Sequence, residues 1–198
     1  MSLLINRIKL IQRACGAEVD GVFGPVTALA VMRVLLKQDD SVGEPPTLLD
    51  ERTATTLATL DPKALDAFRQ FTLLAQATAA TLGCDYIAIS GHRTWAEQDE
   101  LYTRVPQVTR AKGGHSNHNF GIAVDYGVFQ GGGRIYCDDS KPELARQVHA
   151  ACAAHAKSCG LEWGGSWVGF KDFPHYELAT GMTLPQKRKL YQQKGSVL

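Results

Sequence analysis

The chain has 198 residues, 44% of them hydrophobic and 21% charged, which is an ordinary globular composition long enough for one domain plus a small one. A formal net charge of +1 supplies no electrostatic pull toward nucleic acid or anionic lipid, so neither is expected as a partner. Five cysteines, at 15, 84, 137, 152 and 159, are odd in number and form no CxxC pair, which points to reduced thiols and away from a disulfide framework or a thiolate zinc site.

The N-terminal MSLLINRIKLIQRACG has Arg7, Lys9 and Arg13 among its apolar residues. No unbroken hydrophobic region forms there, so no secretory signal peptide is expected. No run approaches the roughly 20 apolar residues of a membrane span, so stable membrane insertion is not expected either. Leu4, Ile8, Ile11 and Cys15 recur at helical spacing and predict an amphipathic helix over 3–15. DGVFGPVT (20–27) reads as a turn, with Pro25 placed for the first turn of a second helix over 26–37. Gly43, Pro45 and Pro46 mark a loop. Asp50 then caps a third short helix through Leu57 and Leu60. Residues 1–60 thus read as a small three-helix module. Asp61-Pro62 marks the boundary with a second domain over 61–198.

Residues 62–82 place Leu65, Phe68, Thr72, Ala75, Ala79 and Leu82 on one helical face, ended by Gly83. YIAIS (86–90) is a short strand. Thr94 and Glu97 form a capping box for a helix over 95–104. Residues 121–128 form a strand with Ala123 and Asp125 on one face and Ile122, Val124 and Tyr126 on the other. Ser140 and Glu143 predict another capping box, opening a helix to about Ser158 that Gly160 stops. HYEL (175–178) is a final strand with His175 and Glu177 on one face, and Thr183 and Gln186 cap a last helix. Strands interspersed with helices, without regular βαβ repeats, predict an α+β fold whose second domain holds a mainly antiparallel sheet flanked by helices.

The chemistry concentrates in two segments. SNHNFGIAVDY (116–126) sets His118 seven residues before Asp125, and DFPHYE (172–177) adds Asp172 and His175. Two histidines and a carboxylate suit one catalytic Zn2+ with a fourth position left for water. An aspartate on an otherwise apolar strand is costly to bury unless paired or metal-bound. The glycine-rich KGGHSNHNFG lets the chain fold closely around an ion. Asp172 is the candidate general base, with Glu177 as its rival. Arg93, in SGHRT at a strand end, is placed to stabilise an oxyanion. His115 is a candidate fourth ligand, disfavoured because a catalytic zinc keeps one position open. His92 reads as a neighbour of the site or a surface residue, and His149 and His155 as core-edge or surface residues. Trp163 and Trp167, in EWGGSW, are candidate walls of a substrate cleft. Cys137 has no identifiable partner.

SGHRTWAEQDELY, VTRAKGGHSNHNFGIAVDYGVF, LGCDYIAIS and LEWGGSWVGFKDFPHYEL resemble the L-alanyl-D-glutamate peptidases of phage endolysins, which belong with the zinc D-alanyl-D-alanine peptidases. The resemblance covers about residues 62–195, including the TLPQKRKLYQQKG tail. It implies zinc ligands His118, Asp125 and His175, a general base at Asp172, a carbonyl-polarising Arg93, and contact of Ser116 with the site or substrate. D-Ala-D-Ala dipeptidases usually carry glutamate where this chain has Asp172, and that departure fits the L-alanyl-D-glutamate branch. Residues 3–60 resemble the three-helix peptidoglycan-binding module of cell-wall hydrolases through IKLIQRACG, DGVFGPVTALAV and LDERTATTLATL. The usual aromatic-glutamine ending of the middle helix is absent, with Val34, Leu35 and Leu36 in that region.

The resemblance implies a phage or prophage endolysin with bacterial peptidoglycan as its partner. It is expected as a monomer in the host cytoplasm until another agent releases it, and then cuts the L-Ala–D-Glu amide of stem peptides on the periplasmic side. Two alternatives stand beside it: a D,D-carboxypeptidase trimming terminal D-Ala, and a non-catalytic wall-binding protein whose zinc is architectural.

Overall fold

The computed structural model describes residues 49–106 and 108–198. The helices expected over 3–15 and 26–37 lie outside those residues. The described residues belong to the second of two units of the chain, Leu49–Leu198, which carries the fold described here.

Its first helix, α1 (Glu51–Leu57), starts where the Asp50 carboxylate accepts from the Thr53 amide at 2.9 Å. The sequence groups this helix with the N-terminal module, but its contacts lie with the second unit. Thr53 Oγ1 accepts from the Ala88 amide at 3.0 Å, Thr56 Oγ1 donates to the Ala88 carbonyl at 3.1 Å, and Leu57 and Leu60 enter the same core as the sheet. A cap and an apolar spacing reveal a helix; they do not say which core receives it.

Helix α2 (Leu65–Thr81) buries Phe68, Phe71, Thr72, Ala75 and Ala79. It starts at Leu65 rather than Pro62, because Asp61 closes a turn by accepting from the Lys63 amide at 2.9 Å instead of capping the helix. Leu82, expected on the buried face, is 43% exposed: the helical conformation ends before it, and Phe71 fills the apolar stripe.

Strand β1 (Asp85–Ser90) leads through the capping box of Thr94 and Glu97 into α3 (Trp95–Thr103). Strand β2 (Ala123–Gln130) follows a 3-10 turn over Asn117–Phe120. Two short strands were not legible in the sequence: β3 (Ile135–Tyr136) and β4 (Leu161–Trp163). Two or three residues are too few to show alternation. Strand β5 (His175–Leu178) completes a five-stranded sheet of order β1-β2-β5-β4, with β3 on β2. Every pairing is antiparallel.

Helices α4 (Cys137–Ser140) and α5 (Pro142–Ala153) lie between β3 and β4. The capping box expected from Ser140 and Glu143 does not form. Ser140 donates to the Tyr136 carbonyl, and α5 begins at Pro142 with no side-chain cap. The helix also ends at Ala153, short of the expected Ser158, and a 3-10 turn over Lys157–Cys159 runs to Gly160. The last helix, α6 (Leu184–Lys194), carries its expected Thr183–Gln186 capping box.

Residues of β2 alternate between two environments. Val124, Tyr126 and Val128 enter the core with Phe71, Tyr86 and Tyr176, and Asp125 emerges on the other face. Buried hydroxyls among the described residues find partners, Thr72 with Tyr126 at 2.7 Å and Tyr86 with His149 Nδ1 at 2.8 Å among them. His149 passes the network on to Asp138 at 2.7 Å, so it is an interior residue. Among the described residues no helix is long and apolar enough to cross a membrane.

Candidate metal centre and catalytic cleft

The three expected ligands meet through two local devices. His118 rides on the 3-10 turn, which Ser116 caps and Gly121 closes in the left-handed conformation at φ +67°. Asp125 and His175 face each other as register partners on β2 and β5. One donor atom from each of the three lies within 4.8 Å of the others. Asp125 Oδ1 is 3.1 Å from His118 Nε2 and 2.9 Å from His175 Nδ1, and the two ring nitrogens are 3.3 Å apart.

The back of each ring decides what its front can do. His118 Nδ1 meets the Gly91 carbonyl at 2.7 Å, and a carbonyl only accepts, so that nitrogen carries the proton. His175 Nε2 meets the Glu177 carboxylate at 2.9 Å and is protonated for the same reason. The remaining ring nitrogens turn lone pairs toward Asp125 Oδ1. Three acceptors this close repel one another unless a proton or a metal cation lies between them, and two imidazoles with one carboxylate suit zinc. Ring back-nitrogens held by a carbonyl and a carboxylate are the supports that orient histidine ligands to a metal.

Electrostatics carry the same signature. Burial works against ionising Asp125, but His118 and His175 outweigh it and hold the carboxyl well below the usual carboxylate range. Burial also opposes charging His175; its hydrogen bonds to Asp125 and Glu177 prevail and push it up to about 9. Burial lowers His118.

Around these groups opens a cleft of about 1010 Å³, lined among others by Arg93, Ser116, Trp167, Asp172, Glu177 and Lys187. Asp172 reaches it from the segment between β4 and β5. Its amide donates to the Gly164 carbonyl at 3.1 Å, and its own carbonyl accepts from the His175 amide at 3.3 Å. Gly164 permits this fit: a Cβ there would stand 2.5 Å from the Asp172 oxygen and 3.1 Å from His175 Cβ. Burial, then the neighbouring Asp125 charge, raises the Asp172 carboxyl and makes it a stronger base than an exposed aspartate. Glu177, the rival base, is engaged with the back of His175.

Arg93 reaches the cleft in contact with a ligand. Its Nη2 donates to Asp125 Oδ2 at 3.2 Å, which leaves Oδ1 to face the histidines, and Nη1 donates to Gln98 at 3.1 Å. Its Nε is buried with no hydrogen-bond partner. Ser116 Oγ accepts from the His118 amide at 3.4 Å, so its first task is shaping the turn that carries the ligand. His115 lines the cleft outside the three-donor group.

Trp163 is not at the cleft. Its indole donates to the Phe173 carbonyl at 2.8 Å and its ring stacks beside Tyr176, so it supports β4 and β5 from the core side. Trp167 is the tryptophan that walls the cleft, with its ring 5.1 Å from that of His175. Two residues escaped notice in the sequence. Gln98 is fully buried and links Arg93 to Thr109 and Ala111, and Lys187 comes from α6. Gln98 had a weak signal as a polar residue on the inner face of a short helix, and Lys187 had none.

Residues 109–178, which span all three donors and Asp172, match the family profile described as D-alanyl-D-alanine carboxypeptidase. The matched segment carries the whole donor set, and two imidazoles with one carboxylate suit a zinc site. The chain is 37% identical over 115 residues to the peptidoglycan L-alanyl-D-glutamate endopeptidase CwlK of Bacillus subtilis (strain 168). That match takes up 52% of this chain and 66% of the relative, just short of two thirds of its length. Among solved structures, the L-Ala D-Glu endopeptidase ChiX of Serratia marcescens is 25% identical with a TM-score of 0.45, covering 65% of this chain and 86% of that one. The vancomycin-resistance D,D-pentapeptidase VanY is 16% identical with a TM-score of 0.41, covering 69% of this chain and 80% of that one.

Proposed function

We propose that this chain hydrolyses the L-Ala–D-Glu amide of peptidoglycan stem peptides, as the lytic enzyme of a phage or prophage. The observation that carries the hydrolytic part is the convergence of His118, Asp125 and His175 on one point, with a second carboxylate, Asp172, lining the same cleft. The choice of bond rests on the likeness to the Bacillus subtilis endopeptidase and on aspartate at position 172.

His118, Asp125 and His175 would hold the metal, which would supply Lewis acidity there. Gly91 and Glu177 keep the two rings turned toward it. Asp172 accepts the proton of the attacking water and returns it to the departing D-Glu nitrogen. Its raised basicity suits it to both transfers. Arg93 fixes Asp125 and, through donors not spent on that contact, polarises the alanyl carbonyl. Trp167 limits solvent access beside His175.

Purified protein incubated with peptidoglycan is expected to create new N-terminal D-Glu ends, identified by mass spectrometry. The ends vanish with a chelator and return with zinc. Zinc at one per chain without any new ends would overturn the catalytic proposal in favour of a wall-binding role. The family description favours one other reading, a D,D-carboxypeptidase, and release of free D-Ala in place of D-Glu ends would select it.

A further inference from the structure

We propose that Lys187 is a specificity residue of the cleft, binding a free carboxylate on the substrate residue whose amine leaves the scissile bond. The proposal rests on the peptidase function above. Lys187 lies on α6, only 5% exposed, and lines the same cleft as the three metal donors. Its ammonium donates to Asn117 Oδ1 at 2.9 Å, and no other acceptor bonds it among the described residues. An ammonium has three donors, and a buried one is costly when they go unused.

The surroundings say what belongs there. Asn117 immediately precedes the ligand His118, so the ammonium sits beside the reaction centre. Glu177 and Glu162 are the carboxylates close enough to act on Lys187 through their charge, but Glu177 is committed to His175. Arg93, the other largely buried cation at the cleft, already uses two of its nitrogens on Asp125 and Gln98. Lys187 therefore has donors free for an incoming oxygen. Asp125, Asp172 and Glu177 on the same walls disfavour a doubly charged anion such as phosphate and leave room for a single carboxylate. D-glutamate within a peptide chain offers one: one of its two carboxyls continues the chain, and the other is free or amidated.

The test compares two synthetic stem peptides, L-Ala-γ-D-Glu-L-Lys and its D-isoglutamine analogue, which differ only in carboxylate against carboxamide. The zinc-loaded wild-type protein is expected to favour the carboxylate in kcat/KM by about tenfold or more, the strength of a charge-assisted hydrogen bond over a neutral one. Lys187→Met is expected to bring the carboxylate peptide down to the level of the carboxamide, with zinc content unchanged. Calorimetric binding of the product D-Glu-γ-L-Lys and its amide reads the same subsite without turnover. Carboxylate-selective binding that Lys187→Met removes, with neither stem peptide cleaved, supports the lysine assignment and sinks the peptidase function. Equal handling of both peptides by the wild-type protein overturns the assignment even if Lys187→Met does not fold, and so does an equal loss on both peptides in the variant.

Discussion

Glu177 is the residue at which two functional assignments separate most cleanly. Its carboxylate accepts from His175 Nε2 at 2.9 Å with a side chain only 16% exposed, so the bond is largely shielded from water. Glu177→Gln keeps the volume and an acceptor oxygen but removes the charge. Loss of such an outer partner costs roughly 10–100-fold in metal affinity, or about 1.4–2.7 kcal/mol. The shielding places the expected effect toward the upper end of that range. A competition titration of zinc against a chromophoric chelator, near neutral pH, reads the dissociation constant directly, and kcat at saturating zinc is measured alongside. The expected result is weaker zinc binding with kcat largely restored once the metal is saturating. Unchanged zinc affinity with a collapsed kcat would refute the assignment and make Glu177, not Asp172, the base.

Asp172→Ala is expected to lower kcat/KM by about 10²–10⁴-fold while zinc stays bound, and full activity in a metal-replete variant would remove Asp172 from the mechanism. Gly164→Ala forces a Cβ to 2.5 Å from the Asp172 oxygen, and a cost of about 1–3 kcal/mol is expected in urea denaturation; an unchanged midpoint would show that the turn yields freely. Burial pushes the Cys152 thiol up to about 12. Native Cys152 should therefore resist iodoacetamide at neutral pH, and labelling as fast as in the denatured chain would contradict its placement. The same shift has a stability consequence. Above the ordinary thiol range the unfolded chain loses this proton and the folded chain keeps it, so stability falls as pH rises from about 9, by up to about 1.4 kcal/mol per unit from this group. Alkaline melts that stay flat would refute it.

The sequence carried what depends on near neighbours. The capping boxes at Thr94 and Thr183 form because both partners lie three residues apart and need nothing else. Asp125 announced itself as a charge among strand residues, because burying a lone carboxylate is expensive wherever the strand lies. Where two local signals competed, the outcome escaped the sequence. Ser140 had a partner at the right spacing for a cap, yet its hydroxyl went to the Tyr136 carbonyl because α4 brought that carbonyl within reach.

Tertiary structure alone decided what depends on which surfaces meet. Trp163 and Trp167 stand four residues apart in one motif; β4 turns the first to the core side and the 3-10 turn after it turns the second into the cleft. Helix α1 joined the sheet through hydrogen bonds to Ala88, far along the chain from Thr53 and Thr56. Glu177 became the brace of His175 and Lys187 came to Asn117 across 70 residues of chain. Caps and alternation are short-range energies that a few residues determine by themselves. The direction of a ring nitrogen, or of a lysine on a distant helix, is set by packing between segments that meet only in the folded chain.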